Sequence, residues 1–198
     1  MAILPPGLLP TGYTQVEYIQ NTSNAYINTG VKATGTTRFM FHFIDEGPDG
    51  SNASRWLFGC TNIASLTGTY FIGMRSVYSQ HYGRYATVEH SFGNISAGEK
   101  IINLTGNVLQ IKVGASSYNY TFTEATFTST GTIILLASTQ NNRVVLPTHG
   151  KILSATIDDV RNFVPCIDPN NVVGLFDTIG RRFYSSPNGT AFVAGPSV

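Results

Sequence analysis

Charged residues are scarce in this chain of 198 residues: Asp, Glu, Lys and Arg together make up only 12%, about half the usual share. The 12 Lys and Arg nearly balance the 11 Asp and Glu, and the formal net charge is +1. Nucleic-acid binders draw much of their affinity from a basic surface, so we expect no nucleic-acid partner. The hydrophobic fraction of 42% is too high for a disordered chain.

Cysteine and long apolar runs are also nearly absent. Cys60 and Cys166 are the two cysteines, and they are too far apart for a metal knuckle and too few for a disulfide scaffold. We favour two free, buried thiols over a disulfide. No run approaches the roughly 18 apolar residues of a membrane helix, so no membrane partner is expected. The first ten residues lack the basic and apolar regions of a secretory signal, which predicts a protein made and kept in the cytoplasm unless it leaves inside a larger particle.

The acidic residues offer no pair of catalytic carboxylates. Glycoside hydrolysis needs two carboxyl groups about 5–10 Å apart, which on one strand would be residues two positions apart. None of the five Glu and six Asp residues shows this spacing. The four histidines do not lie in a nucleophile elbow either. We therefore expect that the protein is not an enzyme.

Apolar and polar residues alternate with period two in many short segments, which predicts an all-β fold. The clearest segment is 108–113, and a turn at 114–117 joins it to a partner in which Tyr118, Tyr120 and Phe122 alternate with polar residues. Segment 133–136 is apolar on both faces and predicts a central strand covered on each side. Eleven or twelve segments predict two packed antiparallel sheets. The other predicted strands are 16–19, 38–44, 55–60, 70–74, 132–137, 151–157, 161–164, 172–176, 182–184 and 191–193.

The first ten residues are apolar and rich in proline. Proline fits neither a helix interior nor a central strand, so we predict an extended arm over residues 1–10, followed by one domain over residues 11–198. Such an arm can dock on a neighbouring subunit through its leucine and proline side chains. The predicted docking residues are Ile3, Leu4, Pro5, Pro6, Leu8 and Leu9.

The stretch from Tyr70 to His90 gathers tyrosine, arginine and histidine. Tyrosine offers an apolar face to a sugar ring or a protein partner and keeps a polar tip. Exposed together, Tyr78, Tyr82 and Tyr85 would form a recognition ridge, with Arg75 and Arg84 at its edge. The alternative is that they are ordinary strand residues. The candidate binding residues are Tyr78, His81, Tyr82, Arg84 and Tyr85. For Trp56, the one tryptophan, we favour a place in the core.

The turn over residues 45–52 offers several hard oxygen atoms, which are the ligands that calcium prefers. Asp45, Asp49 and Asn52 are weak candidates for such a site. Any exposed turn has a similar composition, and the twelve-residue pattern of a calcium loop is not met. We expect no metal and no other cofactor, with calcium as the alternative.

Both ends of the chain carry a family resemblance. The stretches concerned are 9–19, 25–30, 151–154, 161–166, 173–177, 182–184 and 192–196. They resemble the opening and closing blocks of a concanavalin-A-like, laminin-G-like jelly-roll module that is common in virion proteins of tailed phages and in surface proteins of gut bacteria. The turn before the Arg-x-Phe-x-Pro-Cys segment is shorter here, with only Asp158, Asp159 and Val160 left. The resemblance implies a two-sheet antiparallel jelly-roll sandwich of the lectin and glucanase type, with its first and last strands together.

This resemblance, the arm and the missing leader lead to a first hypothesis about function. They suggest a non-catalytic accessory protein of a phage virion, in a head decoration or associated with a tail or fibre, that binds host-surface or mucus glycans. The implied location is the virion, and the implied partners are other virion proteins and further copies of the chain in a homo-oligomer. The alternative is a free carbohydrate-binding protein like a lectin, and a glycoside hydrolase is the third.

Overall fold

The computed structural model describes residues 9–47, 55–61, 70–77, 80–140, 143–145 and 147–198. Within these residues the chain forms strands and turns without an α-helix, and no helix that could cross a membrane is found among them. The strands are β1 (Thr14–Gln15), β2 (Ile19–Asn21), β3 (Ile27–Thr34), β4 (Arg38–Asp45), β5 (Arg55–Thr61), β6 (Tyr70–Val77), β7 (Gln80–Tyr85), β8 (Val88–Asn94), β9 (Gly98–Thr105), β10 (Val108–Val113), β11 (Ser116–Thr121), β12 (Thr128–Leu135), β13 (Ser138–Gln140), β14 (Arg143–Val145), β15 (Gly150–Ile157), β16 (Arg161–Ile167), β17 (Val173–Asp177), β18 (Arg182–Tyr184) and β19 (Val193–Ala194).

Two antiparallel sheets form a sandwich of the jelly-roll type, which confirms the predicted fold class. The large sheet has eleven strands; its main order is β11-β10-β9-β4-β15-β16-β17-β18, with β1, β2 and β19 attached beside it. The small sheet has six strands in the order β3-β12-β5-β6-β7-β8. Strands β13 and β14 form a separate pair. Strand β12 lies between β3 and β5, and residues 133–136 are fully buried, so the prediction of a central strand is also confirmed.

The hydrophobic core lies between the two sheets and is built from alternate strand residues. Phe39, Phe41 and Phe43 of β4 all point into it. The rings of Phe41 and Phe43 stack with centroids 4.6 Å apart. Phe39 reaches Phe58 of the small sheet, with ring centroids 4.5 Å apart. Aromatic contacts of this kind stabilise a core beyond the area that they bury, and here they join one sheet to the other.

The terminal blocks of the chain meet in the large sheet, as the resemblance implies. Strands β15 and β16 pair only near the turn that joins them, and beyond it they separate into a fork. Strand β1 pairs with β16 and β2 pairs with β15, so residues near the start of the chain fill the fork. Strand β19 then pairs with β2, and Val16 forms a bridge with Ser197.

Several strand boundaries differ from the prediction. The predicted strand 16–19 is two short strands, β1 and β2. The predicted strand 132–137 begins at Thr128 and ends at Leu135, because Leu136 has a φ of +61° and cannot continue an extended strand. The sequence pattern did not predict β3, β7, β8 or β9 as strands. In three of them a polar side chain, Thr29, His81 or Lys100, is buried at a position that points inward.

Cys60 and Cys166 are both buried and neither forms a disulfide, which confirms that interpretation. Burial raises the pKa of the Cys166 thiol to about 12. Because the thiolate is the reactive form of cysteine, the buried Cys166 thiol packs as a small apolar side chain.

Candidate functional site

Strand β7 divides the predicted binding residues into two sets, because successive side chains of a strand point to opposite faces. His81 and Tyr85 point between the sheets, and each is only 1% exposed. The Tyr85 hydroxyl donates its one proton between two carbonyl oxygens, that of Gly35 at 2.7 Å and that of Ala125 at 3.2 Å. The expectation that Tyr85 belongs to an exposed ridge is therefore wrong, and the candidate binding residue His81 is buried as well.

Tyr82 and Arg84 point to the outer face of the small sheet, away from the core. Tyr82 is half-buried there, and Arg84 is 8% exposed. Tyr78, the remaining predicted binding residue, lies outside the described residues. Of the five predicted residues, the structure thus brings two together on one surface.

The cross-strand register places three more side chains beside Tyr82 and Arg84. Trp56 is opposite Arg75, and Arg75 is opposite Tyr82. In the next row Arg84 is opposite Glu89. Residues directly opposite each other project from the same face of a sheet, so these side chains share the outer face. We call Trp56, Arg75, Tyr82, Arg84 and Glu89 the guanidinium face.

Two glycines provide the space that the tryptophan ring occupies. Gly59 and Gly73 are paired across β5 and β6. A methyl group added to Gly73 would lie 2.8 Å from Cζ3 of Trp56, and one added to Gly59 would lie 3.3 Å from its Cε3. Trp56 is 7% exposed, so its predicted burial is confirmed, but it is buried on the outer face and not between the sheets.

A network of ion pairs joins the two arginines to one carboxylate. Arg75 donates two hydrogen bonds to Glu89, from Nε to Oε2 and from Nη2 to Oε1, both at 3.1 Å. Nε of Arg84 donates to Oε2 of the same carboxylate. A bidentate arginine pair is geometrically specific as well as strong. Both oxygens of Glu89 are therefore held by guanidinium groups.

The same two guanidinium groups lie over aromatic rings. Cζ of Arg75 is 5.0 Å from the centroid of the Tyr82 ring, and Cζ of Arg84 is 5.3 Å from that of Trp56. Both distances are within the range of a cation–π contact. The contacts between the guanidinium groups and the aromatic rings thus fix the geometry of these side chains without a ligand.

This arrangement suits binding better than bond cleavage. An aromatic side chain, guanidinium N–H donors and carboxylate oxygens can stack on a ligand and hydrogen-bond to its hydroxyl groups. Hydrolysis of a glycosidic bond would need a second carboxyl group, with one of the two protonated. Among the described residues of the guanidinium face, Glu89 is the one carboxylate.

Sequence reasoning did not select Trp56 or Glu89 for this site, and it placed Arg75 only at its edge. The side chains of Arg75, Arg84 and Glu89 come together through the register of three adjacent strands, and two of those strands, β7 and β8, were not predicted. Within β7 alone, strict alternation would have separated Tyr82 and Arg84 from His81 and Tyr85.

The carboxylate of Asp45, a weak calcium candidate, is already engaged by protein partners. Lys100 Nζ donates to its Oδ2 at 3.0 Å, the Gly47 amide donates to its Oδ1 at 3.0 Å, and His81 Nε2 lies 3.4 Å from Oδ2. Burial alone would raise the pKa of Asp45, but the hydrogen bond with His81, the charge of Lys100 and the Gly47 amide outweigh burial and lower the pKa to about 2.

The two other calcium candidates, Asp49 and Asn52, lie outside the described residues. Across the ranges that the structure describes, no three His, Cys, Asp or Glu side chains cluster as metal ligands. The predicted arm is likewise almost wholly outside those ranges: Ile3, Leu4, Pro5, Pro6 and Leu8 are not described, whereas Leu9 is described and half-buried.

Comparisons with known proteins add loose structural similarities, of which two are described. No family model matches the chain, and no curated protein matches it. A mutant of Trypanosoma rangeli sialidase displaying trans-sialidase activity aligns with a TM-score of 0.43 and 11% identity over 62% of this chain and 20% of that one. Galectin-Ib of Xenopus laevis aligns with a TM-score of 0.36 and 9% identity over 67% of this chain and 98% of that one. This chain thus spans one fifth of the sialidase chain, and neither alignment is close enough to transfer a residue role or an activity.

Proposed function

We propose that this protein binds carbohydrate without cleaving it, and that the binding site is the guanidinium face of the small sheet. The observation that carries the proposal is the half-buried Tyr82 ring next to the bidentate pair of Arg75 and Glu89. A sugar ring has an apolar C–H face and a rim of hydroxyl groups. Tyr82 offers the surface for the first, and the arginine and glutamate offer donors and acceptors for the second.

The fixed geometry of the site favours affinity. Ordering a long side chain on binding costs about 0.5–1.5 kcal/mol, and Arg75, Arg84 and Glu89 are already ordered by their mutual contacts. Their side chains are 25%, 9% and 29% exposed, so a ligand meets groups that are partly removed from water. Hydrogen bonds to charged groups in such surroundings contribute about 1.5–3 kcal/mol each.

The lack of catalysis is part of the proposal. Glycoside hydrolysis needs two carboxyl groups about 5–10 Å apart, and among the described residues of the guanidinium face Glu89 is the one carboxylate. We therefore expect no release of reducing sugar from any glycan that the protein binds.

A glycan array followed by titration calorimetry tests the site. We expect binding to weaken at least about tenfold in Arg75→Ala, because the variant loses a charged hydrogen-bonding group. We expect a similar loss in Tyr82→Ala, which removes the stacking surface. The matched control is Arg182→Ala: this arginine also lies over a tyrosine ring, Tyr184 at 5.4 Å, but it belongs to the large sheet.

Two outcomes would contradict the proposal. One is that no immobilised glycan binds the wild-type protein. The other is that Arg75→Ala and Tyr82→Ala bind as tightly as Arg182→Ala while all three variants keep the thermal unfolding midpoint of the wild type. If Arg75→Ala loses both binding and fold, Arg75→Lys separates the two effects, because it keeps the charge but not the bidentate geometry.

A second proposal concerns where the protein acts. We propose that it is an accessory protein of a phage virion and that residues 1–10 dock the domain on neighbouring virion proteins, with further copies of the chain in the same lattice. Support comes from the resemblance of the two chain ends to virion modules and from the apolar, proline-rich composition of the first ten residues. Pocketed leucine and proline side chains are a common means of such docking.

Deletion of residues 1–10 tests the docking role. Because β1 begins at Thr14, the deletion leaves the described strands intact, and we expect an unchanged thermal unfolding midpoint. Incorporation into particles, measured by immunoblot of purified virions, should be lost. Full incorporation of the truncated chain would contradict the docking role. It would not affect the proposal of carbohydrate binding.

A further inference from the structure

We infer that the protein forms a symmetric dimer in which strand β11 of one copy pairs antiparallel with β11 of a second copy. The inference concerns the edge of the large sheet and does not rest on either proposed function. Strand β11 is the last strand in the order of that sheet. The backbone N–H and C=O groups on its open side therefore have no partner strand among the described residues, and such an edge is a template for pairing with another chain.

The four strands that end the two sheets differ in how they are protected against such pairing. Natural proteins protect edge strands with charges, bulges or short length. Strand β18 has three residues, and Arg182 is one of them. Strands β3 and β8 carry Lys32 and Glu89, and each pairs with its neighbour through a shift of register. Strand β11 pairs with β10 over six residues without a shift, and it contains neither a charged residue nor a proline.

A ladder of side-chain amides crosses the outer face of the large sheet and reaches this edge. Asn103 of β9 donates from Nδ2 to Oε1 of Gln110 in β10 at 3.2 Å, and Gln110 donates from Nε2 to Oδ1 of Asn119 in β11 at 2.8 Å. The Nδ2 group of Asn119 has no hydrogen-bond partner in the part of the chain that the structure describes. Amide ladders extend over successive paired strands, so a second Asn119 opposite the first would continue this one.

Pairing about Asn119 also matches the two faces of the strand. Residues directly opposite each other share one face of a sheet. With Asn119 opposite its own copy, Tyr118 of one chain lies opposite Tyr120 of the other, and both are half-buried and pack against the core. Ser117 lies opposite Thr121, and both are exposed. Aromatic pairs and pairs of hydroxyl side chains are favourable neighbours across antiparallel strands.

The same symmetry brings opposite charges together at each end of the interface. Lys112 and Glu124 are exposed, and neither forms an ion pair within the described ranges. Lys112 is opposite Ser117 in the β10–β11 hairpin, whereas Glu124 follows the other end of β11. Since Thr121 of one copy lies opposite Ser117 of the second, Glu124 of the first copy comes to the end at which Lys112 of the second lies. Exposed pairs of this kind fix orientation more than they raise affinity.

Sedimentation of the full chain in the analytical ultracentrifuge tests the dimer. Because association follows mass action, the weight-average mass should rise from that of one chain toward twice that value as the concentration increases from about 1 µM to about 300 µM. A wild-type protein that stays monomeric over this whole range would overturn the inference.

Charged substitutions at position 119 locate the interface. In Asn119→Lys two like charges meet on the symmetry axis, so we expect dimerisation to weaken about tenfold or more. Asn119→Asp should behave in the same way. A mixture of the two variants places opposite charges on the axis and should restore a dimer with one copy of each, which misfolded variants would not do. The matched control is Asn94→Lys, at an exposed position of the edge strand β8, and it should dimerise like the wild type.

Cysteine substitutions test the register. Opposite Cα atoms of antiparallel strands are about 4.5–5.5 Å apart, which is within the range of a disulfide. Asn119→Cys should therefore give a covalent dimer on mild oxidation. Ser117→Cys should not, because its two copies would be about 13 Å apart along the strands. The native Cys60 and Cys166 are buried and present in both variants.

The remaining outcomes decide the inference as well. If Asn119→Lys dimerises as tightly as Asn94→Lys, the copies meet through another surface and the inference is overturned. It is also overturned if Ser117→Cys cross-links as readily as Asn119→Cys. Deletion of residues 1–10 should leave the dimer intact, which separates the pairing of β11 from the docking role of the arm. Loss of the dimer on this deletion would assign the contact to the arm and contradict the inference.

Discussion

Replacing Lys100 with methionine is expected to lower the free energy of unfolding by about 3–5 kcal/mol. Lys100 is fully buried, and its ammonium group lies 3.0 Å from Oδ2 of Asp45 and 2.7 Å from the carbonyl oxygen of Ser96. Methionine has a similar volume, so the loss does not arise from a cavity. It arises because the buried carboxylate of Asp45 loses its counter-ion.

Urea denaturation of the wild type and two further variants measures this effect. Lys112→Met changes an exposed lysine of β10, and we expect a change within about 0.5 kcal/mol. The double variant Asp45→Asn/Lys100→Met should recover part of the loss, because a neutral amide needs no counter-ion. The interpretation would be wrong if Lys100→Met cost no more than Lys112→Met, or if the double variant were less stable than Lys100→Met alone.

Acid should remove about 2 kcal/mol of stability through Asp45 alone. The pKa of this carboxyl group is lowered in the folded protein from 3.8 to about 2, and each pKa unit corresponds to about 1.4 kcal/mol. Above the unfolded pKa both states are ionised and the contribution is fully present. As the pH falls from about 4 to about 2, the unfolded chain binds a proton that the folded protein does not, so stability decreases.

The double variant Asp45→Asn/Lys100→Met isolates this contribution, because it lacks both charges. Thermal or urea unfolding at several pH values between about 5 and about 2 should show a steeper decline for the wild type than for the double variant. Other carboxyl groups titrate in both proteins, so the difference between the two curves belongs to the pair. Parallel curves would contradict the assignment of the low pKa to Asp45.

Sequence alternation predicted the parts of the fold in which every inward position is apolar. In the hairpin of β10 and β11, Leu109 and Ile111 are buried, and the strands are joined through Gly114, whose φ of +55° suits a tight turn. The central strand was predicted from residues 133–136, which are apolar on both faces and whose first three residues end β12. In these segments the alternation of apolar and polar residues matches the burial of their side chains in the folded protein.

The same reasoning failed where polar groups point inward. Lys100 in β9 and His81 in β7 occupy core positions because both contact the carboxylate of Asp45 in β4. A buried polar network of this kind depends on strands distant in sequence and on two different sheets. Such a network therefore cannot be predicted from period-two alternation within one strand.

The candidate site could be predicted only in part for a related reason. Tyr82 and Arg84 lie on one strand, and their shared face follows from their spacing. Arg75 and Glu89 join them through strand register, which turn lengths and core packing set together. The meeting of the first and last strands, by contrast, was predicted through the resemblance of the two chain ends, because that pattern lies in matched stretches and not in local alternation. The fork itself was not predicted.

The fork also bears on how the chain reaches its native state. Thr14 pairs with Ile167 and Ile19 pairs with Ile152, so β1 and β2 are synthesised well before the strands with which they pair. Contacts between such distant segments require closure of very long loops and slow the folding rate. We therefore expect the nascent chain to expose unpaired strand edges and apolar side chains until residues beyond 150 emerge. At that stage chaperone binding or aggregation competes with completion of the sheet.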